Sequence, residues 1–220
     1  MKRRVIDTAD GSKTIQIEDW DEQYHSIHGA LQEALHVFIQ NTEARLNGRK
    51  EISILEMGFG TGLNALLTWK MAEELSVKVQ YTTLEAFPIE FEEYAQLDFQ
   101  NVWGEKPKNF YALHEATWDE KVVMSSNFSL EKKRQTFEEY KATSKEFDFV
   151  FYDAFGPRVQ PHLWTIPIFH QLFKSCKPGG TFLTYCAKGQ VRRDLQSVGF
   201  EMERLPGPPG KREMLMGKVK

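Results

Sequence analysis

Three acids and a run of glycines hold the candidate chemistry of this chain. In Ile52-Ser53-Ile54-Leu55-Glu56-Met57-Gly58-Phe59-Gly60-Thr61-Gly62-Leu63-Asn64, a β-branched run stops at a carboxylate and then at three alternating glycines. Glycines accept positive φ and let a backbone approach a ligand closely, and a helix opening at Leu63 points its free N–H groups into the turn. The pattern predicts a nucleotide-binding strand-turn-helix in which Glu56, Gly58, Phe59, Gly60, Thr61, Gly62 and Asn64 surround the ligand. The second acid, Glu85, ends the strand-like run Val79-Gln80-Tyr81-Thr82-Thr83-Leu84, 23 residues beyond Gly62. That is the spacing of a ribose-binding carboxylate on the neighbouring strand tip, with Ala86 beside it. The third, Asp153, closes the apolar run Phe147-Asp148-Phe149-Val150-Phe151-Tyr152. In a doubly wound sheet ligands bind beyond the carboxyl ends of the strands, so Asp153 is expected to face the same crevice as the glycines.

The glycine spacing discriminates between ligands. The dinucleotide fingerprint needs its third glycine at the place Leu63 holds, so NAD or FAD fits less well. The form Glu56-x-Gly58-x-Gly60-x-Gly62 goes with S-adenosylmethionine (SAM). On these residues alone both nucleotide readings stay open.

Such residues need an α/β scaffold. Strands are expected at about 52–56, 79–85, 109–113, 147–152, 180–186, 200–204 and 213–219, and helices at 63–75, 89–99, 165–176 and 189–198. This alternation predicts a Rossmann-like, mostly parallel seven-stranded sheet with helices on both faces. Ahead of it, Val5-Ile6-Asp7-Thr8 and Thr14-Ile15-Gln16-Ile17 flank Asp10-Gly11, which signals a hairpin. Leu31, Leu35, Phe38 and Ile39 give a helix over 27–39. We therefore expect an N-terminal hairpin and helix extension over 1–45 and the main domain over 46–220. The polar stretch 119–146 reads as a loop with an exposed helix inserted near the strand tips.

At 220 residues and 41% hydrophobic, the chain suits one α/β domain with a full core. The basic start Lys2-Arg3-Arg4 leads into a polar segment rather than an apolar one, and no run approaches membrane-spanning length, so a cytoplasmic, non-membrane protein is expected. Cys176 and Cys186 lack metal-ligand spacing and read as buried thiols; no metal is expected. The net charge of −3 hides an asymmetry: from Arg158 onward there are 11 Lys and Arg against 4 Asp and Glu. This basic third, with Lys188, Arg192, Arg193, Lys211 and Arg212, suits phosphates.

Over nearly its whole length the chain resembles the methyltransferase domain of the MnmC family, bacterial enzymes that complete 5-methylaminomethyluridine at the tRNA wobble position. The carrying residues are Tyr24-x-Ser26, Gly29, Glu33 and His36-Val37-Phe38; the glycine turn; Glu85-x-Phe87-Pro88; Asp153-Ala154-Phe155-x-Pro157 with Trp164-Thr165; Pro178-Gly179-Gly180-Thr181; Val191-Arg192-Arg193-x-Leu195; Gly199-Phe200; and Gly210-Lys211-Arg212-Glu213-Met214-Leu215-x-Gly217. The resemblance implies SAM-dependent methylation of the aminomethyl group of 5-aminomethyluridine, with or without 2-thiolation. Asp153 would be the catalytic residue on the amine, and Tyr24 and Ser26 would border the cofactor. Phe155 and Pro157 would meet the base, while Arg192, Arg193, Lys211 and Arg212 would meet the anticodon arm. Glu115 stands where an adenine contact is sought, although Leu113-His114-Glu115-Ala116 lacks the aspartate often found there. The FAD-dependent domain of fused members has no room in 220 residues, so methyl transfer alone is expected, from a monomer linked to a separate enzyme that makes the aminomethyl intermediate. The rival readings are a methyltransferase for a small amine or acid, and a noncatalytic tRNA-binding or assembly subunit on the same fold.

Overall fold

The computed structural model describes residues 2–97, 99 and 108–220. The chain opens with β1 (Arg3–Asp7), β2 (Lys13–Ile17) and β3 (Glu22–Gln23), a three-stranded antiparallel sheet whose first turn is the expected Asp10-Gly11 hairpin. The helix expected over 27–39 runs instead from 30 to 43, as α1 (Ala30–Ala34), a π-helical stretch (Leu35–Ile39) and α2 (Gln40–Glu43). Its start is set by Gly29, whose φ of +150° ends the preceding loop.

The main sheet follows from β4 (Glu51–Met57), α3 (Leu63–Leu75), β5 (Lys78–Leu84), α4 (Phe91–Tyr94), α5 (Lys108–Glu115), β6 (Lys121–Val123), β7 (Phe128–Lys133), β8 (Phe147–Tyr152), α6 (Ile166–Ser175), β9 (Cys176–Thr184), α7 (Gly189–Ser197), β10 (Glu201–Pro206) and β11 (Glu213–Lys218). The strand order is β10-β11-β9-β8-β4-β5-β7-β6, with β7, β5, β4, β8 and β9 parallel and the edges antiparallel. Strand β8 shows why the centre is sealed on both faces: Phe149 and Phe151 enter one core with Phe38, Leu66 and Phe110, while Val150 and Tyr152 enter the other with Phe169, Leu195 and Phe200. A side-chain period of two on a strand covered by two helical layers produces this division.

Three expectations are corrected. The sheet has eight strands, not seven, because 109–113 is helical and the stretch read as a loop with an exposed helix supplies β6 and β7. Residues 108–115 turn Phe110 and Leu113 inward three apart, which is helical spacing. In β7, Phe128, Leu130 and Lys132 are buried alternately, so a lysine in the period-two pattern disguised a strand. The helix expected over 89–99 is reduced to Phe91–Tyr94 before a turn, and Asp98 lies outside the described residues.

Candidate active site

The cavity lies over the carboxyl ends of β4, β5 and β8 and has a volume of about 270 Å³. Its floor is the glycine turn. Gly58 adopts φ +102°, and a Cβ there would stand 3.0 Å from the Asp153 carbonyl oxygen, so the tips of β4 and β8 meet only without a side chain. Gly60 adopts φ +50°, and a Cβ there would press on the Tyr24 ring at 3.1 Å. The Glu85 carboxylate spans the next corner, accepting the Gly60 N–H at 3.0 Å through Oε2 and the Phe87 N–H at 2.8 Å through Oε1.

Asp153 is placed by two contacts. Its backbone N–H donates to the Met57 carbonyl at 3.1 Å, and Asn64 Nδ2, on the first turn of α3, donates to Asp153 Oδ2 at 2.9 Å. Burial, and then the charge of nearby Glu33, push the Asp153 carboxyl up to about 7. Behind it Glu56 is fully buried and burial pushes it up to about 8, opposed by the hydroxyl of Thr83, which donates to Oε2 at 2.7 Å. Glu56 therefore carries its proton at neutral pH and underpins the turn as a neutral acid. The loop after Asp153 is pinned by Tyr185, whose hydroxyl donates to the Ala154 carbonyl at 2.8 Å, and by Trp164, whose Nε1 donates to the Phe155 carbonyl at 2.8 Å.

The N-terminal sheet supplies a wall. Tyr24 and Trp20 both pack edge-on against Phe155, with centroids at 4.9 and 5.9 Å, making an aromatic face beside Asp153. Arg3 anchors this sheet to the loop after β5, donating to the Phe87 carbonyl at 2.8 Å and pairing with Glu93 at 3.1 Å. His25 reaches under the turn between Thr14 (3.0 Å) and Thr61 (3.3 Å); burial lowers it to about 4, so it is neutral. On the opposite side His114 Nε2 donates to the Thr61 carbonyl at 3.1 Å, and Lys132 Nζ, buried beneath Trp118, donates to the His114 carbonyl at 2.7 Å. Burial lowers Lys132 to about 8.

Of the residues expected at the site, Tyr24, Gly58, Phe59, Gly60, Thr61, Asn64, Glu85, Ala86, Asp153 and Phe155 line this cavity. Glu56 and Gly62 support it from behind. Ser26 stands outside the lining, where its backbone N–H donates to Glu33 at 2.8 Å. Pro157, Arg192 and Arg193 also lie outside it, and Lys211 and Arg212 line a second cleft. Glu115 ends helix α5 and is not in the lining, because the third parallel strand is β7 rather than 109–113. The loop after β7 instead brings Thr136, Phe137 and Glu138 to the cavity. Sequence reasoning also missed Trp20, His25 and Tyr185; the only signal for the first two was their closeness to Tyr24.

These features suit the chemistry of SAM. Glycines forbid side chains where a ligand must approach, Glu85 offers two carboxylate oxygens for a diol, and Asn64 Oδ1 is sealed from solvent without a partner among the described residues. Gly58 to Thr61, Asn64 and Glu85 would hold it. Among the described residues no group of three His, Cys, Asp or Glu is arranged for a metal, and no helix is long and apolar enough to cross a membrane.

The family model described as S-adenosyl-L-methionine-dependent methyltransferase matches residues 91–220. The chain belongs to that family. It is 31% identical over 212 residues to the tRNA 5-methylaminomethyl-2-thiouridine biosynthesis bifunctional protein MnmC of Azoarcus sp. (strain BH72), an alignment taking in 90% of this chain and 33% of that protein. To the protein of the same name from Pseudomonas fluorescens (strain Pf0-1) it is 28% identical, over 91% of this chain and 34% of the relative. The chain thus spans about a third of the length of the curated relatives it matches. Among solved structures, MnmC2 from Aquifex aeolicus superposes with a TM-score of 0.84 at 26% identity, over 100% of this chain and 71% of that one. The CurJ carbon methyltransferase, at 13% identity and a TM-score of 0.52 over 89% of this chain and 56% of its own, shows the fold alone. The resemblance carried by the ordered motifs is borne out, as are the Rossmann-like methyltransferase fold and SAM as the cofactor.

Proposed function

We propose that this methyltransferase acts on the exocyclic primary amine of 5-aminomethyluridine, with or without a 2-thio group, at the wobble position of tRNA, giving the 5-methylaminomethyl product. The observation that carries the reading is Asp153: a carboxyl held by Asn64, raised to about 7, and set against an aromatic wall in the cavity of a SAM-dependent enzyme. The MnmC relatives, which are tRNA 5-methylaminomethyl-2-thiouridine biosynthesis proteins, support the choice of tRNA.

A primary alkylamine titrates near the lysine value of ~10.4 and is mostly ammonium at neutral pH, without a lone pair for attack. Asp153 accepts a hydrogen bond from the ammonium, takes a proton from it, and aims the freed lone pair into the cavity. The cofactor supplies an electrophilic methyl group. Tyr24, Trp20 and Phe155 exclude water and offer an aromatic surface to a uracil drawn out of its stack, as recognition of a single-stranded base requires. Glu85 and the glycine turn fix the partner of the reaction, and this orientation alone accounts for several kcal/mol of barrier.

We infer further that the enzyme works as a cytoplasmic monomer, that residues 1–45 are an extension completing the pocket of the 46–220 domain, and that a separate enzyme supplies the aminomethyl intermediate. Arg192, Arg193 and Arg212 are proposed contacts to the anticodon arm. Lys211 is a weaker candidate, since it pairs with buried Glu33 and lies 3.9 Å over the Tyr185 ring. The test is transfer of labelled methyl from SAM to tRNA from cells lacking this modification, compared with small primary amines. Incorporation into tRNA alone supports the reading; incorporation only into small amines overturns it.

A further inference from the structure

Resting on that reading, we propose that the cleft behind Tyr185 is an anion subsite for the phosphate next to the target nucleotide. This open cleft, about 430 Å³ in volume, is lined by Lys188, Lys211 and Arg212 against a single carboxylate, Glu213. Tyr185 lines both it and the cavity that holds Asp153, so the two spaces adjoin at this residue. A base seated in the first would have the second beside it, within reach of the backbone of its own strand.

Two of the three cations, Lys188 and Arg212, are exposed. Glu213 is engaged by Arg204 at 3.2 Å, and its contact with Arg212 is long, at 3.7 Å, with the Arg212 side chain 88% exposed. Lys188 makes no ion pair among the described residues. Lys211 is held by Glu33 and by the Tyr185 face, which fixes its charge beside the residue that the two spaces share. Two exposed cations and one held in place around an open cleft suit a phosphodiester, whose oxygens accept from lysine and bidentately from arginine. Neutral or cationic substrates gain nothing there. The subsite thus favours a nucleotide within a strand over a free nucleoside.

The experiment is a double-mutant cycle with an anticodon stem-loop RNA. One partner change is K188A/R212A in the protein; the other is a charge-neutral methylphosphonate replacing the phosphate on either side of the target nucleotide, one at a time. Affinity is read by fluorescence anisotropy at low salt, and circular dichroism checks that the variant folds. One of the two methylphosphonates is expected to weaken binding by the parent about tenfold, the scale of a charge-assisted hydrogen bond, and to leave binding by the variant nearly unchanged. Equal losses for parent and variant would overturn the subsite while leaving tRNA as the substrate. A parent protein that binds no stem-loop at low salt would overturn the tRNA reading and the subsite with it.

Discussion

Replacing Asp153 by Asn separates the chemistry from the fold. The amide keeps a carbonyl oxygen for Asn64 Nδ2, so the 2.9 Å hydrogen bond that orients the side chain survives, but the proton acceptor is lost. At an ordinary value of 3.8 the carboxylate would lie ~6.6 units below the ammonium, and proton transfer would cost about 9 kcal/mol. Raised to about 7 by burial, it lies only ~3.4 units below, and the cost falls to about 4.6 kcal/mol. The gap of ~3.4 units also means that roughly 0.04% of the free amine is unprotonated at pH 7 without help. Asp153→Asn should therefore bind SAM almost as the parent does while single-turnover methyl transfer falls by ~10²–10⁴, the usual range for general-base catalysis. A raised carboxyl must first lose its proton to act as a base, so the parent rate should climb with pH through about 7, and the variant should lack that inflection. The assay is rapid-quench transfer from labelled SAM between pH 6 and 9, with calorimetry for cofactor affinity. If Asp153→Asn and Asp153→Ala both keep near-parent rates over that range, proton removal belongs to another group or to solvent.

Three further outcomes follow from the geometry. Gly60→Val should abolish SAM binding in calorimetry, because its Cβ would meet the Tyr24 ring at 3.1 Å from a backbone at φ +50°; unchanged affinity in a folded variant would remove the turn from the cofactor site. Glu85→Ala should weaken SAM by about 1.5–3 kcal/mol, the scale of hydrogen bonds to a charged group, and a loss of a few tenths would make it a bystander. Glu56 has a folded value of about 8 against an ordinary 4.5, so the folded state holds a proton that the unfolded chain releases, and the parent loses stability as pH rises from 4.5 to 8. Glu56→Gln should flatten that decline in thermal melts at pH 5 and pH 8, while a parallel decline would show Glu56 ionised in the fold.

The glycine turn, its flanking strand and helix, and the strand ending at Asp153 were legible because they obey local rules: β-branched runs, positive-φ glycines, and a helix whose observed bounds, Leu63–Leu75, match the expected 63–75. What sequence could not show was whatever depends on a distant partner. Lys132 reads as surface, yet in β7 its stem is buried and its ammonium lies 4.5 Å over the Trp118 ring, so from sequence β7 resembles an insertion and the adenine side points to Glu115. Trp20 and Tyr185 carry no motif; they become wall residues because the N-terminal sheet folds over the strand tips and because β9 ends beside β8. Lys211 reads as a free cation in sequence, but its pairing with Glu33, 178 residues away, takes it partly out of that role.

The central claim is most directly tested by digesting tRNA to nucleosides after incubation with the enzyme and SAM and weighing the products. With tRNA bearing 5-aminomethyluridine or its 2-thio form, the account predicts that this nucleoside alone disappears and one heavier by a methylene appears, with the added group on the side-chain nitrogen. An unchanged nucleoside profile, or methylation on the ribose, a ring atom or another position of the tRNA, would contradict it.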